Sequence, residues 1–133
     1  MGWLTSILTH PALLVGLGGA IGANARYWLG LWFKAQPWAK DYTWGTFAIN
    51  VSGSLLLGIV AVLCKDRASP GFLLLGTGFC GGYTTFSTFS LEVAEAIQRG
   101  RLDLALLYAG TSVLGGLLAF AFAVLLVPHV QGS

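Results

Sequence analysis

Four long apolar runs limit what this chain can fold into. A helix needs roughly 20 apolar residues to cross a hydrocarbon core of about 30 Å, and each of the four runs reaches that length. Only 9% of the 133 residues are charged, whereas soluble domains carry about 25%. We therefore predict an all-α membrane protein with a single domain over residues 1–133. Its four transmembrane helices are expected over roughly residues 11–33, 44–64, 70–98 and 102–127.

Charged side chains gather in the connections between the runs, but their distribution favours one orientation only weakly. In a four-span protein the first and third connections lie on the same side, and together they hold four basic residues against two in the second connection. By the positive-inside rule, the chain either inserts with the first and third connections inside or inserts both ways. The basic residues are Lys34, Lys40, Arg99 and Arg101 on one side and Lys65 and Arg67 on the other.

The charge and the motifs also argue against several function classes. A formal net charge of +2 is too small to indicate a nucleic-acid partner. The sequence holds no combination of nucleophile, base and metal ligands that would indicate an enzyme. No carboxylate is expected in the middle of a span, since Glu92 and Glu95 fall in the last turns of the third run.

The third run contains the most unusual local sequence. Glycine weakens a helix, and here several glycines precede a run of hydroxyl and β-branched residues. In lipid, a broken helix is tolerated only inside protein or beside water, so we predict a break near Gly81 to Thr84 that faces the protein interior. Carbonyls freed at such a break can bind a cation. The alternative is a kinked span that stays helical. The glycines are Gly76, Gly78, Gly81 and Gly82.

Polar residues within the other spans need partners. Thr46 and Asn50 in the second span are four residues apart, as are Tyr108 and Ser112 in the fourth, so each pair shares one helix face. An amide in hydrocarbon needs a hydrogen-bond partner, and joining two helices is one role open to Asn50. Arg26 in the first span either faces a cavity or extends to the interface.

Two phenylalanines follow the predicted break. Phe86 and Phe89 are three residues apart, so they share a helix face. A phenyl ring has a positive edge, and two rings turned edge-on can line a path for a small anion. Core packing is the alternative for such a pair.

The segments GGAIGANARYWL, GTFAINVSGSLLLG and GTGFCGGYTTFSTFSLE occur in this order in the first three runs. In these segments the chain resembles the Fluc family of fluoride channels, also called CrcB proteins, and the resemblance covers nearly the whole chain. It implies a multi-pass protein of the prokaryotic plasma (inner) membrane that exports fluoride passively and so relieves fluoride toxicity. It also implies an antiparallel, dual-topology homodimer with two pores and a structural sodium ion on the twofold axis.

The resemblance also implies roles for individual residues. Phe86 and Phe89 match the phenylalanine box of the family, and Gly81 and Thr84 match the backbone carbonyl donors to sodium. Gly116, one turn beyond Ser112, is a departure, because some members carry a hydroxyl there. The remaining matches are Asn50 as the pore asparagine, Arg26 as the vestibule arginine, and Thr46, Ser87, Thr88, Tyr108 and Ser112 on a polar track.

Two other functions compete with a fluoride channel. A small multidrug-type, proton-coupled exporter needs a carboxylate embedded in the membrane, and the expected absence of one in mid-span disfavours this function. A structural assembly subunit without transport activity would have no use for a glycine-rich break followed by TTFSTF.

Overall fold

The computed structural model describes residues 1–40 and 42–131, and only the backbone of residues 129–131. Within these residues every regular element is helical, which confirms the all-α class. We number the helices in chain order. They are α1 (Gly2–Leu8), α2 (Pro11–Lys34), a 3-10 turn (Pro37–Ala39), α3 (Trp44–Leu63), α4 (π-helical over Phe72–Cys80 and α-helical over Gly81–Tyr83), α5 (Phe86–Gln98) and α6 (Leu102–Gln131).

The helix α1 was not predicted. It is amphipathic: its hydroxyl side chains bond back to its own backbone, as Thr5 does to the Gly2 carbonyl at 2.8 Å, and its large apolar side chains are exposed. A bend of 48° separates α1 from α2. Pro11 begins α2 without losing a helical hydrogen bond, and the His10 side chain accepts from the Ala12 N–H at 3.3 Å. The exposed apolar residues of α1 are Trp3, Leu4, Ile7 and Leu8.

Two described helices are long and apolar enough to cross a membrane alone, namely α3 and the part of α6 over Leu102–Pro128. The bent pair of α1 and α2 meets the same criterion when both helices are taken together. Neither α4 nor α5 reaches that length, because non-helical residues separate them. These two or three candidate spans support a membrane protein, and the count of four stays a prediction.

The helices pack mainly as two pairs, α2 with α4 and α3 with α6. Glycines allow α2 and α4 to approach backbone to backbone, as small residues do in membrane helix pairs. A Cβ atom at Gly18 would overlap the Leu74 carbonyl oxygen, and one at Gly22 would overlap the Phe79 carbonyl oxygen. The spacing of Gly18 and Gly22 therefore fixes how closely α4 lies against α2.

Substitution at Gly22 tests this contact. Gly22→Ala places a methyl group against the α4 backbone, so we expect the free energy of unfolding in detergent to fall by about 1–3 kcal/mol. Gly16→Ala is the matched control, because nothing lies within 4 Å of a Cβ atom there. The control should leave the unfolding free energy unchanged or raise it slightly, since alanine favours helix over glycine. Equal stabilities for both variants would contradict close packing at Gly22.

Candidate functional site

The backbone leaves helical conformation between α4 and α5. Thr84 has ψ 157° and Thr85 has φ −149° and ψ 118°, so both residues are extended. Thr85 is also the N-cap of α5, because its hydroxyl oxygen accepts from the Thr88 N–H at 3.2 Å. Threonine oxygens are common caps at this position, where the first N–H groups of a helix have no backbone partner.

Asn50 on α3 bonds to the interrupted backbone through both ends of its amide. Its Nδ2 donates to the Thr85 carbonyl at 3.0 Å, and its Oδ1 accepts from the Thr85 N–H at 2.8 Å. Thr85 is only 8% exposed, so water cannot easily replace these bonds. The structure thus gives Asn50 an interhelical partner.

These contacts change the hydrogen bonding of two carbonyls. In a continuous α-helix the Gly81 carbonyl would accept from the Thr85 N–H, and the Thr84 carbonyl from the Thr88 N–H. Here the Thr85 N–H donates to Asn50, and the Thr88 N–H donates to the Thr85 hydroxyl. Both helical donors are therefore engaged elsewhere, and the Gly81 and Thr84 carbonyls are released from the helical pattern.

Gly81 and Thr84 both line a surface depression of about 270 Å³. Gly81 is exposed and Thr84 half-buried. Released carbonyl oxygens without a nearby carboxylate suit a monovalent cation better than calcium, which usually takes carboxylate ligands. The chemistry of the donor set is therefore compatible with the sodium ion that the sequence resemblance implies.

Arg26 on α2 forms a hydrogen bond to the C-terminal end of α4. Its Nε donates to the Gly82 carbonyl at 3.1 Å, which places a cation at the negative end of that helix. Arg26 also lines a cavity between the helices, which agrees with the first of the two alternatives for this side chain.

That cavity has a volume of about 760 Å³. Among its described lining residues, five are basic and two acidic. Arg99 pairs with Glu95, and Arg101 pairs with Asp103. The remaining excess of positive charge favours anions. Of the residues expected on an anion path, the cavity brings together Arg26, Thr46, Thr88 and Tyr108. The basic residues are Arg26, Lys34, Lys40, Arg99 and Arg101, and the acidic ones are Glu92 and Glu95.

Glu92 lies at the centre of a polar cluster that was not predicted. Its carboxylate accepts from the Thr46 hydroxyl at 3.0 Å and from the Tyr108 hydroxyl at 2.7 Å, which links α5 to α3 and α6. The expectation that Glu92 merely ends a span near the interface missed these contacts. One signal was available in the sequence, because Glu92 follows Phe89 by three residues and so shares its helix face.

The remaining predicted residues lie outside the cavity lining. Phe86 is 79% exposed. The centroid of its ring lies 5.7 Å from that of Phe89, and the Phe89 centroid lies 5.2 Å from that of Tyr108. The Ser87 and Thr85 hydroxyls are 3.2 Å apart. Ser112 is 8% exposed, and its hydroxyl has no hydrogen-bond partner within the described part of the chain.

Comparison with known proteins shows which family this chain matches. Residues 13–124 match the family described as CrcB-like protein, Camphor Resistance (CrcB). A protein of Symbiobacterium thermophilum named fluoride-specific ion channel FluC 1 is 44% identical over 80% of this chain and 89% of its own length. Proteins named fluoride-specific ion channel FluC are similar too. The one from Erythrobacter litoralis is 45% identical over 88% of this chain and 91% of its own length, and the one from Novosphingobium aromaticivorans is 48% identical over 77% and 83%.

Substitution of Asn50 tests whether its amide holds the interruption. Asn50→Ala leaves the buried N–H and carbonyl of Thr85 unpaired, and each unpaired group costs about 1–3 kcal/mol. We expect a corresponding fall in unfolding free energy, measured by denaturant titration in detergent. Asn24→Ala is the matched control, because that amide donates only to the Ala20 carbonyl of its own helix. An Asn50→Ala variant as stable as the control would refute a structural role for the amide.

Proposed function

The chain belongs to the CrcB-like protein family, and we propose that it is a fluoride-selective ion channel that exports fluoride passively and so relieves fluoride toxicity. The family consists of channels rather than enzymes, and the chain is a multi-pass protein of the prokaryotic cell membrane. The observation that best supports the proposal is the basic cavity into which Thr46, Thr88 and Tyr108 open. Hydroxyl groups can replace the water around a small, strongly hydrated anion.

The anion path combines hydrogen-bond donors with phenyl edges. Phe89 lies against Tyr108, so the ring pair is continuous with the hydroxyl that bonds to Glu92. Because Glu92 already accepts from Thr46 and Tyr108, a fluoride ion at this point must compete with the carboxylate for both donors. Beyond the two phenylalanines, the proposed path is lined by Arg26, Thr46, Asn50, Ser87, Thr88, Tyr108 and Ser112.

The functional unit is an antiparallel homodimer with two pores. Within each subunit, α4 and α5 form one broken membrane span, which completes a set of four. Two exposed features support a partner copy: the Phe86 ring and the surface at Gly81. An exposed polar backbone group is costly in lipid, and a second subunit would cover it. The weak difference in basic residues between the two sides is compatible with insertion in both orientations.

A sodium ion joins the two subunits in this proposal. The carbonyls of Gly81 and Thr84 from each copy would hold it, and its charge would compensate their partial negative charges. The fit rests on the two carbonyls whose helical donors bond to Asn50 and Thr85 instead. The ion is structural and is not transported.

A proton-coupled exporter of cationic drugs is the alternative function. The absence of a carboxylate in mid-span disfavoured it, but Glu92 is a carboxylate inside the helix bundle, so that argument is weaker than the sequence suggested. The excess of basic residues around the cavity still favours an anion. Uptake of a lipophilic cation driven by a proton gradient, without fluoride efflux, would establish the alternative.

A topology reporter at the C-terminus tests the dual-topology dimer. We expect signal from both sides of the membrane, because the basic residues favour neither side strongly. Added lysines in one connection should lock the orientation and lower fluoride flux, and coexpression of two oppositely locked variants should restore it. The purified dimer should also dissociate more readily when N-methylglucamine replaces Na⁺. Signal from a single side would contradict dual topology.

Fluoride efflux from liposomes, compared with chloride efflux, tests the function and the phenylalanine pair together. The wild-type protein should release fluoride and retain chloride. Phe86→Ile and Phe89→Ile keep a large apolar side chain but remove the ring quadrupole, so fluoride flux should fall about tenfold, which corresponds to about 1.4 kcal/mol in the barrier.

Phe122→Ile is the matched control for these variants. Phe122 on α6 is 59% exposed and has no place in the proposed path, so its loss should leave the flux unchanged. If Phe86→Ile and Phe89→Ile conduct like the control, the rings serve packing only. A wild-type protein that releases no fluoride would refute the channel itself.

A further inference from the structure

Gly116 lacks a side chain where a third hydroxyl would continue the series on α6. Tyr108, Ser112 and Gly116 are spaced by four residues, so each step advances about 6 Å along one face of the helix. The space beside Gly116 is filled from the neighbouring helix: a Cβ atom built there would lie 3.3 Å from the Oγ atom of Ser54 on α3. The hydroxyl of Ser54 thus lies close to where a side chain of residue 116 would begin.

Ser54 lacks the hydrogen bond to its own helix that several other hydroxyls of the bundle make. In a membrane helix, serine and threonine commonly donate to a carbonyl of their own helix. Ser52 does so to the Ile49 carbonyl at 3.2 Å, and Thr111 does so to the Leu107 carbonyl at 2.7 Å. Neither Ser54 nor the buried Ser112 has a hydrogen-bond partner within the part of the chain that the structure describes. Their protons are therefore available to another acceptor.

Gly115 and Gly116 on α6 allow α3 to pack closely enough for the Ser54 hydroxyl to lie beside residue 116. A Cβ atom at Gly115 would lie 3.1 Å from the Val51 side chain and 3.3 Å from the Phe47 ring, so α3 packs closely against α6 there. A serine at residue 116 would compete with Ser54 for the same space. Either α3 or α6 can therefore supply a hydroxyl at this level. Both can do so only if a side chain or one of the two helices shifts.

We propose that Ser54 donates to the permeating anion in place of the hydroxyl that α6 lacks at Gly116. The path then passes from Tyr108 and Ser112 on α6 to Ser54 on α3. This inference rests on the proposed function, because it adds a position to the same anion path. Hydroxyl donors suit such a position, since they bind an anion without holding it on a fixed positive charge.

Fluoride efflux from liposomes tests the inference with variants of α3. Ser54→Ala should lower fluoride flux by about tenfold, the order expected when a hydrogen bond to a charged group is lost. Ser52→Ala is the matched control, because its hydroxyl bonds to Ile49 and lies 2.9 Å from the Tyr83 hydroxyl. The control should conduct like the wild type.

A double variant separates the role of the hydroxyl from that of packing. Ser54→Ala combined with Gly116→Ser returns the hydroxyl to α6 and frees the space that it needs, so flux should recover substantially relative to Ser54→Ala. If Ser54→Ala is poorly folded, Ser54→Cys keeps the shape with a weaker donor and should also conduct less than the wild type.

The outcomes distinguish this inference from the proposed function. A wild-type protein without fluoride flux refutes the channel. A conducting wild type with unchanged flux in Ser54→Ala refutes the inference alone, as does a well-folded double variant that stays as low as Ser54→Ala.

Discussion

Two hydrogen bonds between the Asn50 amide and the Thr85 backbone make the interruption between α4 and α5 possible. A chain in hydrocarbon can leave helical conformation only where the freed N–H and carbonyl groups find partners, and an asparagine amide offers both a donor and an acceptor. Because Asn50 bonds to the Thr85 N–H, the Gly81 carbonyl loses its helical donor. The capping hydroxyl of Thr85 has the same effect on Thr84. A side chain on α3 thus releases the Gly81 carbonyl, and the N-cap of α5 releases that of Thr84.

The features that the sequence predicted correctly depend on local rules. The all-helical class follows from run length and the scarcity of charge, and the family follows from motifs as specific as GTGFCGGYTTFSTFSLE; both are confirmed. The need of Asn50 for a partner was also evident, because an amide cannot stay unpaired in lipid. Which backbone groups would supply that partner was not evident, since this depends on how α3 is rotated relative to the interruption.

The features that the sequence did not predict depend mostly on contacts between helices. Glu92 was placed in the last turns of the third run by its distance from the end of that run, but in the structure it lies in the middle of α5 and contacts Thr46 and Tyr108. The sequence did not single out Ser54, because the role proposed for it depends on the missing side chain of Gly116 on α6. The helix α1 lacks the length of a span, so a search for long apolar runs passes over it.

The π-helical stretch Phe72–Cys80 gives this segment an unusual relation between its length and its register. Its bonds reach five residues back, as from the Gly81 N–H to the Gly76 carbonyl, one residue further than in an α-helix. Each such turn is wider than an α-helical turn and therefore takes up an extra residue. Deleting one residue there can restore α-helical bonding, which would keep Gly82 against Gly19 and Thr85 near Asn50. Proteins usually absorb insertions and deletions in loops; here the interior of a helix can absorb one residue.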